Sequence, residues 1–299
     1  MAVYVGLDCG GTSTRALAID DSESPLFEGR SGPANWASTD RDCLIDHLKE
    51  ALSGAPKVDA ICGCFAGILT PQDASDAAAI LKSVSGAEVA VARPDYHAAL
   101  SAADPDTTCC VIAGTGSLVF SNASGEIVKS GGGGPLLGDV GSAFSIARAA
   151  LGIALFGSAV VGGVSDDFLV ACEKLFGSRD PSLIPARVYA EGSPAALVAK
   201  LVPTIAADYE KGEDYAANVI TEQMRQLAFI VHGHLWRFHS EQRPWKICLT
   251  GGLWDIAPIF EKKFVACMRM MAGGKEATIE RLASAPVIGA ARLAKGLMK

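Results

Sequence analysis

The stretch that decides the fold is Val3–Asp20, which reads VYVGLDCGGTSTRALAID. Its two apolar runs, Val3–Leu7 and Ala16–Ile19, are short and end at glycine and polar residues, a pattern typical of buried strands. Gly10 and Gly11 between them permit backbone angles that other residues avoid and let a ligand approach the main chain. The N–H groups of such a turn form a concave anion site. Taken alone, the stretch fits a phosphate-binding hairpin and an ordinary glycine hairpin equally well.

Polar side chains surround this turn. Thr12, Ser13 and Thr14 add hydroxyl donors directly after the two glycines. Asp8, at the end of the first predicted strand, can hold a hydrated cation, because hard cations favour oxygen ligands. An anion and its counter-cation could therefore be bound at one hairpin.

Length and composition limit the classes of function. A chain of 299 residues predicts two domains. The net charge of −7 and the lack of a lysine–arginine run argue against nucleic acid as the main partner. No apolar run is long enough to predict a membrane span. Nine cysteines without a secretory leader predict reduced thiols in a cytoplasmic protein.

The order of predicted elements repeats along the chain. The first hundred residues read β-β-β-α-β-α-β-α, which predicts a layered α/β domain. A second apolar strand, Thr107–Ala113, then leads into the glycine–hydroxyl turn Gly114–Ser117 and another strand. A third glycine turn, Gly251–Gly252, follows the strand Trp245–Leu249. No P-loop motif and no dinucleotide-binding motif is present, so other nucleotide folds are disfavoured.

A tryptophan beside an asparagine in one predicted loop fits a sugar. Asn35 offers a donor and an acceptor, and Trp36 offers a flat apolar face. A sugar has hydroxyl edges and apolar ring faces that match these groups. The alternative is that Trp36 is only a half-buried anchor of the loop.

The three glycine turns occur in an order that resembles the sugar kinase–actin–Hsp70 superfamily. Asp8–Thr12 resembles its first phosphate motif, Gly114–Ser117 its second, and Gly251–Gly252 its adenosine motif. Within that superfamily, Gly134–Ser142 (GPLLGDVGS) and Pro286–Ala290 (PVIGA) resemble the BadF/BcrA-type ATPase group that includes N-acetylglucosamine kinase. The set of motifs spans nearly the whole chain and is far more specific than any one of them.

The resemblance implies an α/β fold of two duplicated ribonuclease H-like, actin-like ATPase domains, with ATP and sugar in the interdomain cleft. We expect an N-terminal domain at residues 1–116 plus 287–299 and a C-terminal domain with helical insertions at 117–286. The implied activity is an ATP-dependent phosphotransferase that phosphorylates the 6-hydroxyl of N-acetylglucosamine or a related amino sugar or hexose. The implied cofactors are ATP and Mg²⁺, and the implied assembly is a homodimer.

The resemblance also implies roles for individual residues. It assigns the ATP phosphates and adenosine to Gly10, Gly11, Thr12, Ser13, Thr14, Gly114, Thr115, Gly116, Ser117, Gly251 and Gly252. It assigns the sugar to Asn35, Trp36, Ala66, Gly67, Asp95, Thr115, Gly134 and Asp139. Asp8 would hold Mg²⁺ through water. Asp95 would be the general base that accepts the proton of the attacking sugar hydroxyl, although an aspartate there could also only cap a helix.

Three departures from the family pattern bear on specificity. Pro94 stands where the family usually has Asn, Gly133 where it often has Trp, and Val140 where it has Glu. Because the last two lie beside the implied sugar pocket, glucosamine, N-acetylmuramic acid and glucose are alternative substrates. Two other functions stay open: an ATPase that activates an iron–sulfur dehydratase-type partner, and a non-enzymatic ATP-gated binding protein.

Overall fold

The computed structural model describes residues 2–157, 163–190, 194–271 and 277–298. The chain divides into two units: unit 1 is Met1–Pro105 with Leu282–Lys299, and unit 2 is Asp106–Arg281. Unit 1 opens with β1 (Tyr4–Cys9), β2 (Thr14–Ile19), β3 (Pro25–Ser31), α1 (Arg41–Ala51), β4 (Ala60–Phe65), α2 (Pro71–Ser85), β5 (Val89–Pro94) and α3 (Tyr96–Ala102).

The described residues of unit 2 form five further strands and most of the helices. Its elements are β6 (Cys109–Ala113), β7 (Ser117–Ala123), β8 (Glu126–Gly131), α4 (Gly134–Leu137), α5 (Ala143–Phe156), α6 (Asp166–Phe176), α7 (Ile184–Ala190), α8 (Pro194–Ala199), α9 (Val202–Glu210), α10 (Asp214–His239), β9 (Trp245–Thr250), α11 (Leu253–Ile256), α12 (Pro258–Met271) and β10 (Ala277–Arg281). The chain then returns to unit 1 as α13 (Pro286–Gly296).

The two sheets have the same topology, which confirms the predicted duplication. The strand order is β3-β2-β1-β4-β5 in unit 1 and β8-β7-β6-β9-β10 in unit 2. In each sheet the first three strands along the chain are antiparallel, and the last two run parallel to the first. The glycine turn after β1 and the glycine turn after β6 are therefore equivalent positions of two related sheets.

The boundary between the units lies earlier than the predicted residue 116. Strand β6 pairs with β7 and with β9, so it belongs to the sheet of unit 2. The second boundary moves from 286/287 to 281/282, because β10 pairs with β9. Strand β10 is absent from the sequence prediction. It is an edge strand of alternating half-buried and exposed residues, and it lacks the apolar run that marks the inner strands.

Helices cover both faces of the sheet of unit 1. Leu44 and Leu48 of α1 and Leu81 of α2 are fully buried in the core on one face. The other face is covered by α3 and α13. Helix α13 approaches β1 closely at Gly6, and it approaches α3 closely at Gly289. A Cβ atom on Gly6 would lie 2.1 Å from Ala291 N, and one on Gly289 would lie 1.9 Å from Ala98 O. The glycine of the PVIGA motif thus lets α13 pack on α3.

In unit 2, one large core joins the inner strands to the long helix α10 and to α12. All nine cysteines are free thiols, and most of them are buried. Within the ranges described, no helix combines the length and the apolar character that crossing a membrane requires.

Candidate active site

The first glycine turn joins β1 to β2. Gly10 donates its N–H to Ser13 O at 3.0 Å and closes the turn, and Ala34 donates to Gly10 O at 3.1 Å. Gly11, Thr12 and Ser13 are exposed. The N–H groups of Gly11 and Thr12 form no hydrogen bond with another described residue. This turn therefore has backbone donors available for an anion.

Thr14 does not fit the expectation that it donates to phosphate. Its side chain is fully buried at the start of β2, and its hydroxyl donates to Gly32 O at 2.9 Å. This hydrogen bond ties the start of β2 to the loop that follows β3. The hydroxyl donors at the turn are consequently those of Thr12 and Ser13.

Two half-buried carboxylates lie near the carboxyl ends of parallel strands in unit 1. Asp8 precedes the turn on β1, and Asp95 follows β5, where its carboxylate accepts the N–H of Tyr96 at 2.9 Å and caps α3. Burial and the charge of Asp95 raise the pKa of Asp8 to about 6, against the opposing effect of Arg15. Burial also raises the pKa of Asp95, although its hydrogen bond from Tyr96 acts in the other direction. Carboxylates in such a setting favour a bound cation or a shared proton.

Arg15 lies near Asp8, and no motif in the sequence marks it as a functional residue. It is directly opposite Asp8 in the antiparallel β1–β2 ladder, so both side chains are on one face of the sheet. Its positive charge acts to lower the pKa of Asp8. Strand alternation could have identified it, because a hairpin closed at Gly10 and Ser13 sets Asp8 opposite Arg15.

Asn35 presents its amide nitrogen beside the first turn. Its Oδ1 accepts the N–H groups of Ala37 at 2.9 Å and Ser38 at 3.1 Å. Its Nδ2 would be 3.9 Å from a Cβ atom on Gly11. Gly67 has a φ of +88°, and a Cβ there would come within 2.6 Å of Asn35 Oδ1. Only glycine fits at this position, and it keeps the Asn35 amide in a place suited to a ligand hydroxyl.

Trp36 does not present the stacking surface expected for a sugar. Its side chain is 7% exposed, its Nε1 donates to Asp73 at 3.0 Å, and the Arg41 guanidinium lies 3.6 Å from the ring centroid. Its backbone N–H donates to Ala66 O at 2.8 Å. The indole is thus the anchor of its loop, the alternative that the sequence left open, and the backbone N–H of Trp36 holds Ala66 beside Asn35.

The second glycine turn belongs to unit 2 and is fixed by the start of α5. Gly114 donates its N–H to Gly116 O at 2.8 Å. Ala143 donates to Gly114 O at 2.8 Å, and Phe144 donates to Thr115 O at 3.3 Å. Thr115 is exposed at the tip of this turn. The helix thereby holds the loop while the Thr115 side chain stays accessible to a ligand.

Asp139 packs against the second turn. A Cβ atom on Gly116 would lie 2.6 Å from its carboxylate. The N–H groups of Ser117 and Gly134 hydrogen-bond to this carboxylate and act to lower its pKa, but burial has the larger effect and raises the pKa. The Ser117 hydroxyl donates to Val140 O at 2.7 Å, so the expectation that it binds phosphate is not met. Gly134 is therefore a residue that orients Asp139.

The third glycine turn adjoins the second one within unit 2. Gly251 has a φ of +100°, and a Cβ atom there would lie 2.4 Å from Ala113 O. Gly252 has ordinary helical angles, and a Cβ atom there would have no neighbouring atom within 4 Å among the described residues. A Cβ on Gly114 would lie 3.8 Å from Gly252 N. Backbone groups of two turns thus meet at the carboxyl ends of β6 and β9, where parallel sheets commonly bind ligands.

Comparison with known proteins finds a family and relatives that match most of the chain. The model of the BadF/BadG/BcrA/BcrD ATPase family matches residues 5–294. The chain is 26% identical over 243 residues to the N-acetylmuramic acid/N-acetylglucosamine kinase of Clostridium acetobutylicum, which covers 76% of this chain and 77% of that protein. It is 27% identical over 201 residues to the N-acetyl-D-glucosamine kinase of Dictyostelium discoideum, covering 61% of this chain and 63% of that protein.

Solved structures show the same fold over the whole chain. A Chromobacterium violaceum protein, provisionally named an N-acetylglucosamine kinase, has a TM-score of 0.76 at 18% identity and covers 98% of this chain and 99% of that chain. A glucokinase of the ROK family from Streptomyces griseus, solved with glucose and AMPPNP, has a TM-score of 0.63 at 16% identity and covers 99% and 100% of the two chains. These likenesses confirm the actin-like α/β fold.

Proposed function

Because this chain belongs to the BadF/BadG/BcrA/BcrD ATPase family, we propose that it is an ATP-dependent kinase of N-acetylglucosamine or a closely related amino sugar, acting at the 6-hydroxyl. The observation that carries the proposal is the half-buried carboxylates of Asp8 and Asp95, of which Asp95 acts on the charge of Asp8, beside an exposed glycine turn. The names of the two curated relatives, both kinases of N-acetylglucosamine, support the substrate class.

Asp95 is the proposed general base. Phosphoryl transfer needs mainly positioning and charge neutralisation, with one group to orient the nucleophile and accept its proton. The raised pKa of Asp95 makes its carboxylate a better proton acceptor at neutral pH than an exposed aspartate. Its place at the start of α3 fixes the direction in which the carboxylate points, because the Tyr96 N–H holds one oxygen.

We propose that the glycine turns bind the nucleotide. In unit 1, the free N–H groups of Gly11 and Thr12 bind phosphate oxygens, with the Thr12 and Ser13 hydroxyls as further donors. In unit 2, the turn Gly114–Gly116 binds phosphate, and Gly251–Gly252 lies along the adenosine. None of these contacts needs a bulky side chain, which fits the close approach of a nucleotide to the main chain.

The donor set around Asp8 fits a magnesium ion bound through water. Its side chain is half-buried, has no hydrogen bond from another described side chain, and is opposed by the charge of Asp95. Mg²⁺ keeps most of its water and takes one or two carboxylates. When bound, it would neutralise phosphate charge. Asp8, at the end of β1, would hold the ion through water, while Asp95 stays free to act on the sugar.

We propose Asn35, Thr115 and Asp139 as the residues that contact the sugar. Asn35 offers its Nδ2 donor, and Asp139 and Thr115 offer an acceptor and a hydroxyl. Gly133 has a φ of +92°, which disfavours any side chain, so a tryptophan wall would need a different backbone in this loop. We therefore expect a wider sugar pocket than in the family pattern, with N-acetylmuramic acid among the accepted sugars.

A coupled assay of ADP release tests the proposal. The panel contains N-acetylglucosamine, N-acetylmuramic acid, glucosamine and glucose, each with Mg²⁺ and ATP. We expect sugar-dependent ADP release with at least one N-acetylated sugar. A rate that no sugar raises above background would overturn the proposed function.

Two further properties stay predictions. Nine free cysteines favour a reducing compartment, which supports a cytoplasmic location for the reaction. The homodimer that the family resemblance implies would appear as twice the chain mass in light scattering.

A further inference from the structure

Unit 1 contains a cavity on the α13 face of its sheet, beside the edge strand β3. Its volume is about 370 Å³, within the range of small-molecule sites. Leu17 and Ile19 on β2 and Val287 and Ile288 on α13 give it an apolar lining. It forms because α13 packs over β1, β4 and β2, which leaves the same face of β3 largely uncovered.

Two arginines lie opposite each other in the lining of this cavity. Arg15 and Arg30 are directly paired in the β2–β3 ladder, so their side chains share one face of the sheet. Like charges in directly opposed cross-strand positions are destabilising. Neither guanidinium forms a hydrogen bond or ion pair with another residue in the described ranges. This arrangement leaves two charged forks with unused donors.

The other charged groups of the cavity are arranged differently. Arg292 is occupied: it donates to Glu23 at 3.0 Å, and Lys295 also contacts Glu23 at 3.2 Å. Glu28 lies two residues before Arg30 on the same face of β3 and forms no ion pair among the described residues. The unused groups are thus two guanidinium donors and one carboxylate acceptor beside an apolar surface.

We propose that this cavity binds a small phosphorylated molecule that carries hydroxyl groups. Guanidinium forks match phosphate oxygens, so Arg15 and Arg30 hold the phosphate from two sides. Glu28 accepts a hydroxyl of the same molecule, and Leu17 and Ile288 contact its carbon skeleton. The bound phosphate offsets the repulsion between Arg15 and Arg30, which lie directly opposite each other in the β2–β3 ladder. This inference does not depend on the proposed kinase activity.

Protection of arginines from phenylglyoxal, mapped by mass spectrometry on the full chain, locates the site. We expect inorganic phosphate to slow modification of Arg15 and Arg30 several-fold relative to sodium chloride of equal ionic strength. Arg187, an exposed arginine of α7 without an ion pair among the described residues, is the internal control and should react at one rate throughout. Equal modification of Arg15 and Arg30 with phosphate and with chloride would overturn the proposal.

Equilibrium dialysis with labelled phosphate then measures the contribution of the arginine pair. We expect Arg30→Gln to weaken binding at least about tenfold, because a charged hydrogen-bond donor is lost. Arg187→Gln should have no effect. Glu28→Gln should weaken binding of glycerol phosphate but not of inorganic phosphate. Wild-type affinity in Arg30→Gln would place the phosphate elsewhere, for instance on the glycine turns, and would contradict this assignment.

Discussion

Asp8 and Asp95 are the same residue type in two different surroundings, which suit the two roles proposed for them. Asp95 has a hydrogen bond from the first N–H of α3, which holds its carboxylate in one orientation. Asp8 has no such hydrogen bond among the described residues and responds to the charges of Asp95 and Arg15. The first environment suits a base with a fixed direction, and the second suits a carboxylate that shares a hydrated cation.

The base role of Asp95 predicts a specific loss in Asp95→Asn. Asparagine also caps a helix start well, so the change removes the proton acceptor and keeps α3 intact. We expect the turnover number to fall by about 10²–10⁴-fold, with ATP affinity and thermal stability close to wild type. Steady-state kinetics and ATP titration measure these quantities. Retained turnover in a folded variant would exclude Asp95 as the base.

Burial of Asp8 predicts that it lowers the stability of the ligand-free protein. Its folded pKa of about 6 exceeds its usual value of 3.8, so above pH 6 the folded state holds a charge that it disfavours. Asp8→Asn should therefore raise the free energy of unfolding by about 1–3 kcal/mol at pH 8 while it reduces activity. This gain should shrink as the pH falls from 6 towards 4. Urea unfolding across this range is the measurement, and equal stability of both proteins at pH 8 would contradict the account.

At the scale of single elements, glycines determine how closely the turns approach their neighbours. Gly251 lies against the backbone of Ala113, whereas its neighbour Gly252 has open space around it. Gly67 and Gly116 have the same function beside Asn35 and Asp139. At each of these close-packed glycines, a turn or a polar side chain lies where the Cβ atom of any other residue would be.

A matched pair of substitutions tests this interpretation of the third turn. Gly251→Ala adds a methyl group at a positive φ and 2.4 Å from Ala113 O, so it should destabilise unit 2 by about 2 kcal/mol or more and weaken ATP binding. Gly252→Ala, at a φ of −69°, should change stability by less than about 1 kcal/mol. Urea unfolding compares the two variants. The interpretation fails if both variants lose the same amount of stability.

A buried hydrogen-bond chain joins α10 to β7 and β8. Ser121 Oγ lies 2.8 Å from His234 Nε2 and 2.7 Å from His239 Nε2. Ser130 Oγ lies 2.9 Å from His234 Nδ1, and Gln242 Oε1 lies 2.7 Å from His239 Nδ1. If both histidines are neutral, all four hydrogen bonds can point the same way: Ser130 donates to His234, His234 to Ser121, Ser121 to His239, and His239 to Gln242. A second proton on His234 would force Ser130 to reverse its hydroxyl, so this order holds only while His234 is neutral.

These hydrogen bonds should consequently make the free energy of unfolding decrease as the pH falls. Burial and, secondarily, the charge of His239 lower the pKa of His234 from 6.5 to about 4. The folded state then binds fewer protons than the unfolded state, so its contribution is complete above pH 6.5 and is lost as the pH falls towards 4. We expect a loss of about 1–3 kcal/mol between pH 7.5 and 4.5 relative to His234→Gln. Urea midpoints at both pH values measure it, and an identical pH dependence in the two proteins would refute the neutral chain.

For the whole molecule, the duplication explains why glycine turns recur at equivalent positions of the two sheets. The same five-strand topology occurs twice, so β1 corresponds to β6 and β4 to β9. Each copy places a glycine turn after its first strand. The loop after the fourth strand carries Ala66–Gly67 in unit 1 and Gly251–Gly252 in unit 2.

The sequence predicted the fold and most of the inner strands, because buried strands and glycine turns leave clear local patterns. It could not predict which hydroxyls point inward. Thr14 and Ser117 donate to the backbone of distant loops, and this depends on packing that no local pattern records. The burial of the Trp36 side chain also depends on packing between distant segments, which its local sequence does not record. Strand β10 was missed because its polar edge sequence resembles a loop.

Transfer of labelled γ-phosphate from ATP to N-acetylated sugar, quantified together with ADP, tests the central claim most directly. The account predicts one phosphorylated sugar for each ADP formed, with transfer lost in Asp95→Asn. Hydrolysis of ATP without any labelled sugar phosphate, at a rate that Asp95→Asn leaves unchanged, would contradict the kinase assignment and favour an ATPase that serves a protein partner.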